Sequence, residues 1–152
     1  MTIPIIFLPR SIGLKEGQLS ISTSMGDIVI QLIGTGLKNI YEIPEYLGIV
    51  VPIDVSFEYP IQIYNPHDTI LEIQEITTSA NYLQLTLPHE PDGPTATTPS
   101  MLLKILPHTR KSVAHIQFRA SARGIHQGYI HIRAKMFHMV VPVEIRAVSG
   151  DY

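Results

Sequence analysis

Cysteine is missing from all 152 residues, so neither a disulfide framework nor a thiolate-ligated metal can form within them. A basic run is missing too. Eleven Lys and Arg stand scattered against thirteen Asp and Glu, giving a net charge of −2. That balance makes no case for nucleic acid or an anionic membrane surface as a partner. Long hydrophobic runs are absent, each apolar stretch being short and cut by proline or charge, so none spans a bilayer as a helix. The apolar start at 1–8 has no basic leader and is broken by Pro4 and Pro9. It reads as a strand and not as a signal peptide, so any such signal is expected upstream of Met1. Helical periodicity is also wanting, with no window sustaining an i, i+3, i+4, i+7 pattern.

What is present is self-similarity at an offset of 111 residues. Phe7 aligns with Phe118, Gly13 with Gly124, Gly17 with Gly128 and Ile21 with Ile132. The apolar positions keep step, Leu19 with Ile130, Ile30 with Val141 and Leu32 with Val143. An offset of that size is a domain and not a solenoid repeat. The chain therefore reads as the end of one β domain followed by a whole copy of it.

Alternation of apolar and polar residues marks strands. It predicts strands near 2–8, 17–23 and 27–34, then 48–53, 58–64, 69–78, 82–87, 101–106, 111–119, 127–133 and 138–148. Twelve prolines and ten glycines punctuate them. The fold class is all-β, an immunoglobulin-like sandwich preceded by the terminal strands of a second, similar domain. The expected division is 1–36 for the incomplete domain, 37–47 for a linker, 48–148 for the complete domain and 149–152 for a tail. Pro- and Thr-rich 88–100 is expected to be an exposed loop. In the first copy, Ile3, Ile5, Phe7, Leu19, Ile21, Ile28, Ile30 and Leu32 form an inner face with no opposing sheet. Each forgoes roughly 1.5–3 kcal/mol if left wet, so these residues are expected to be a fragment of a longer protein.

Chemistry-bearing motifs are few. There is no G-x-S-x-G and no H-E-x-x-H, and nothing pairs Glu42, Glu45 and Glu58 as acid and base. No enzyme, cofactor or bound metal is expected. Gly34-Thr35-Gly36 lacks the following helix a phosphate loop needs. Asn65-Pro66-His67 reads first as a tight turn, with Pro66 fixing φ and Asn65 bonding nearby backbone, and second as a recognition loop. Seven histidines are many for this length. His115, His131 and His138 fall on outward strand positions, and a short hairpin places His131 opposite His138. Such a pair binds Zn²⁺ or senses pH in some proteins, although two solvated histidines are the ordinary reading. Binding by strand addition has two candidate edges, 48–53 with Pro52 and 139–148 with Pro142.

Several stretches resemble one family. GTGLKNIYEIPEYLGIVVPI at 34–53, SFEYPIQIYNPHDTILEIQEI at 56–76, LQLTLP at 83–88, ILPHTRKSVAHIQF at 105–118 and VVPVEIRA at 140–147 together look like the luminal part of the transmembrane protein 131 family. The most specific pieces hold Tyr41, Leu47 and Gly48, and Asn65, Pro66 and His67. The resemblance implies the end of a first PapD-like domain and all of a second. It further implies a type I membrane protein whose luminal domains in the endoplasmic reticulum recruit procollagen for secretion. Membrane attachment would come only through parts of the full protein absent from these residues. The alternatives are a cytosolic scaffold domain, major-sperm-protein-like or cilia-associated, and a structural spacer.

Overall fold

The structure, a computed structural model, describes residues 2–88 and 103–149. The loop expected at 88–100, beyond Pro88, and the first part of the strand expected at 101–106 lie outside the described residues. Among the described residues there are ten strands and no helix. The chain divides into two compact units, Met1–Asn39 and Ile40–Tyr152.

The first unit is a hairpin of β1 (Gly13–Thr23) and β2 (Gly26–Gly36). Ser24 and Met25 form the turn, where Thr23 Oγ1 donates to the Gly26 carbonyl at 2.7 Å. Gly26 follows at φ 125°, a conformation that a Cβ would strain. The strand expected at 2–8 does not form. Its counterpart 111 residues on is β8 (Arg110–Arg119), which is held between two other strands. In the first unit no such neighbours are present among the described residues, and Pro4 and Pro9 remove two donors. Instead the Phe7 ring lies over Gly34, so close that a Cβ there would meet it at 2.7 Å.

The second unit is a sandwich. One layer has five strands in the order β3 (Leu47–Pro52), β10 (His138–Val148), β9 (Gly124–Ala134), β5 (Leu71–Thr78) and β7 (Leu103–Ile105). The other has β4 (Ser56–Tyr64), β8 and β6 (Gln84–Thr86). Alternate side chains of both layers fill one core, including Ile61, Ile63, Val113, Ile116, Ile130, Ile132, Val141 and Ile145, each at most 1 % exposed. Two bulges break the alternation. One between Ile61 and Gln62 lets neighbouring Val113 and Ala114 both point inward, and another between Ile73 and Glu75 shifts the inward position to Ile76. The stretch expected as a linker, 37–47, carries Tyr41, Ile43 and Leu47 into this core.

The repeat is visible in the pairing. β1 and β9 have the same bounds at the offset of 111, and Gly13↔Gly36 corresponds to Gly124↔Ala147. Ile21↔Ile28 likewise corresponds to Ile132↔Met139, so both hairpins share one register. Their environments differ. Val141 is 1 % exposed and its counterpart Ile30 is 41 % exposed.

Among the described residues, the edge strands are β3 and β7 in the larger layer, and β4 and β6 in the smaller. The expectation that 48–53 forms an edge holds, while that for 139–148 does not. β10 is internal, flanked by β3 in parallel and β9 in antiparallel pairing. Pro142 is nevertheless accommodated. The bond from Ala134 N–H to Phe137 O sets the alternation along the hairpin, which makes Pro142↔Tyr129 a non-hydrogen-bonded pair. Its missing N–H therefore faces away from β9, one residue before pairing with β3 starts at Val143↔Leu47.

Candidate functional site

Two groups of sequence-selected residues come together, at different places on the second unit. The first is the corner after β4. Asn65 is the one buried polar residue among those described, at 0 % exposure. Its Oδ1 accepts from His67 N–H at 3.0 Å, closing a turn around Pro66. Its Nδ2 donates to Thr69 O at 2.8 Å and to Ile105 O at 3.0 Å, and its own N–H donates to Thr109 O at 2.9 Å. One side chain thus fastens the end of β4, the following turn and the end of β7. Tyr41 joins from the chain leading to β3. Its hydroxyl lies 3.1 Å from His67 Nε2, its ring 4.1 Å from that of Phe137, and its carbonyl accepts from Tyr64 N–H. Burial raises the Tyr41 phenol above its ordinary pKa of 10.0. Both polar atoms of the Asn65 side chain are bonded to main chain, so the geometry is that of a pin.

Leu47 opens β3 and is buried, while Gly48 follows beneath the Tyr46 ring, which a Cβ at Gly48 would meet at 2.7 Å. Both stand in the β3–β10 ladder, Leu47 beside Val143 and Gly48 beside Glu144, so sequence proximity to Tyr41 did not bring them into that corner.

The second group lies on the outer face of β5, β9 and β10. His131 and His138 come within 5.9 Å, ring centroid to ring centroid, at 37° between planes. They are not opposite, as expected, but diagonal: His131 pairs with Val140 and His138 with Arg133. The two-residue turn of this hairpin, 135–136, sets that offset. A groove of about 530 Å³ runs past them, lined also by Glu75, Thr77, Thr78, Ser79 and Arg133. Glu75 and Arg133 face each other across the β5–β9 ladder and form an ion pair at 2.8 Å. The sequence reading missed this pair, because the bulge before Glu75 displaces the register that alternation alone predicts.

Two of the carboxylates near the expected linker, Glu42 and Glu58, are exposed and each lies beside a basic side chain. Glu42, at φ 54°, pairs with Arg110, and Glu58 Oε1 lies 3.0 Å from His115 Nδ1. Ser112 Oγ is 3.4 Å from His115 Nε2, which completes a serine–histidine–carboxylate series on paper. The serine link is long, the Glu58 side chain is 55 % exposed, and the three stand on an outer strand surface. Acyl transfer further requires donors converging on an oxyanion in a place shielded from water. Among the described residues, no group of three or more His, Asp or Glu side chains is placed to hold a metal ion, and no helix is long and apolar enough to cross a membrane.

Comparison with known proteins follows this geometry. The family described as the transmembrane protein 131 second Ig-like domain matches residues 40–133, from the first residue of the second unit into β9. The chain belongs to the transmembrane protein 131 family. A Drosophila melanogaster relative, transmembrane protein 131 homolog, is 34 % identical over 145 residues, covering 94 % of this chain and 9 % of the relative. Transmembrane protein 131 of Mus musculus is 31 % identical over 151 residues, covering 96 % of this chain and 8 % of its own length. The chain thus spans less than a tenth of these relatives. A solved structure of a protein of unknown function from Porphyromonas gingivalis W83 is similar at a TM-score of 0.51 and 15 % identity, covering 90 % of this chain and 67 % of that one. That likeness concerns the fold alone. The Asn65 corner and the strands from β3 to β8 fall inside the matched Ig-like segment, while β10 and its core residues Val141, Val143 and Ile145 follow it. The family is one of membrane proteins with Ig-like domains and is not a known enzyme family.

Proposed function

We propose that this chain is a non-enzymatic protein-binding module from the luminal region of a membrane protein that recruits procollagen or other secretory cargo in the endoplasmic reticulum. The observation that carries the reading is family membership across nearly the whole chain, at 34 % and 31 % identity. The collagen role and the luminal, PapD-like setting are what the sequence resemblance implies. The first unit is read as the terminal strands of a preceding domain of the same kind. Its support is the register that β1–β2 shares with β9–β10. The β3 edge gives the module a physical means of binding. LGIVVP holds no charge, its outer side lacks a neighbouring strand among the described residues, and Val50 is 66 % exposed. An extended cargo segment adding there would gain main-chain hydrogen bonds.

The test is capture of procollagen C-terminal regions by this chain and by a version extended upstream, each first shown to unfold cooperatively. Capture by both places a cargo site within these residues. Capture only by the longer form moves the site to the preceding domain and makes the second unit a spacer. Failure of both overturns the procollagen reading.

A further inference from the structure

We propose that His131 and His138 form a two-imidazole site for a divalent transition-metal ion, open to solvent on the outer face of β9 and β10. This inference is independent of the cargo reading. Both histidines sit on strands joined by the unbroken β9–β10 ladder, and β9 is paired with β5 on its other side, where His131 lies opposite Thr77, so the backbone is organised before any ion arrives. The two rings lie 5.9 Å apart between centroids. Two imidazoles on one tetrahedral ion, at metal–nitrogen distances of about 2.0–2.1 Å, stand about 5 Å apart between centroids. Rotation about side-chain torsions covers that difference, and both side chains have room to turn, since His138 is exposed and His131 half-buried.

Electrostatics at the groove permit a cation. Arg133 pairs with His138 across the ladder and would repel a metal, but its charge is met by Glu75 at 2.8 Å. The other lining groups, Thr77, Thr78 and Ser79, are neutral. Lys135, in the turn after β9, is the remaining nearby cation. Neutral imidazole suits Cu²⁺, Zn²⁺ and Ni²⁺, with Cu²⁺ the tightest of the three. With two protein ligands the ion keeps positions for water or for a side chain of a docked protein. The site is thus suited to bridging two surfaces and not to a structural role. Coordination uses the unprotonated ring nitrogens.

Titration of the intact chain with Cu²⁺ and with Zn²⁺ at pH 7.4 tests this, read by calorimetry and by amide spectra. One saturable site is expected, with Cu²⁺ broadening centred on residues 131, 138 and neighbouring Thr77. His131→Ala and His138→Ala should each weaken binding at least about tenfold. Glu75→Gln should weaken it as well, by leaving the Arg133 charge unmet. Absence of saturable binding up to about 1 mM overturns the proposal. So does binding that survives the double substitution with broadening centred on His108 or His115, each of which has its own carboxylate neighbour. The broadening pattern needs no variant, so a folding defect in one would not hide the answer.

Discussion

The side-chain amide of Asn65 and the main-chain carbonyl of Ile105, 3.0 Å apart, join the turn after β4 to the end of β7 across forty residues. Replacing Asn65 with Ala removes this buried bond and the part-buried one to Thr69 O, and leaves the Ile105 carbonyl without that donor. A loss of about 1–3 kcal/mol is expected, the cost of one buried orphan. Asn65→Asp should be no milder, because a carboxylate cannot donate either bond. Urea midpoints of the second unit measure both. A cost below about 1 kcal/mol for Asn65→Ala would show that the corner is not pinned by this side chain.

Gly128 and its repeat counterpart Gly17 occupy the same place in hairpins of one register but differ in what surrounds them. A Cβ at Gly128 would come within 2.8 Å of the Ala80 Cβ and 3.0 Å of the Tyr82 hydroxyl, whereas at Gly17 nothing lies within 4 Å. Gly128→Ala is expected to destabilise by about 1–3 kcal/mol, as overpacking does. Gly17→Ala should stay within about 0.5 kcal/mol of wild type. Equal effects, measured by chemical unfolding, would contradict this packing contrast.

Burial raises the phenols of Tyr41 and Tyr82 above the ordinary value of 10.0. Between that value and the folded-state values, the unfolded chain has lost these protons while the folded chain keeps them. The unfolded state then binds fewer protons, and stability falls as pH rises past about 10. Substituting Phe for both should flatten the decline between about pH 9.5 and 11, read from urea midpoints across that range. An unchanged slope would exclude these two groups as its source. Tyr82→Phe alone should cost little at neutral pH, because its hydroxyl has no hydrogen-bond partner among the described residues.

Hydrogen exchange should separate the two hairpins. β9 is paired on both sides, and β10 gains β3 along its second half. Among the described residues, β1 and β2 pair only with each other. Amides facing outward from β1 and β2 are expected to exchange far faster than their counterparts 111 residues on, because those counterparts lie within ladders. Matching protection in the two hairpins would show that the outer edges of β1 and β2 are covered in solution.

Much of the fold was legible in the sequence, and the exceptions have physical causes. The β9–β10 hairpin was legible because inward Ile130, Ile132, Val141, Val143 and Ile145 alternate without a break. Bulges were not, since an extra residue such as Gln74 leaves no compositional mark. The strand expected at 2–8 had the right pattern, but a strand is stabilised by neighbours that a pattern cannot supply. Tyr41 and Ile43 looked like connection because their backbone is irregular, yet their burial makes them core. At the candidate sites, the Asn65 turn followed from local turn chemistry. The approach of His131 to His138 required only the hairpin, though its diagonal geometry depended on the turn length. The Glu75–Arg133 pair depended on a bulge and stayed hidden.

The parallel pairing of β3 with β10 has a mechanical consequence. Leu47 lies beside Val143 and Pro52 beside Val148, so the two strands run the same way along six paired positions. A pull applied at the Leu47 end and at the Val148 end would draw them along their length in opposite directions. The slanted bonds of a parallel ladder would then bear load together, in shear, instead of parting one after another as in an unzipped hairpin. With Tyr41 and Ile43 anchored in the core just ahead of β3, the Ig-like unit is built to carry tension between its two ends.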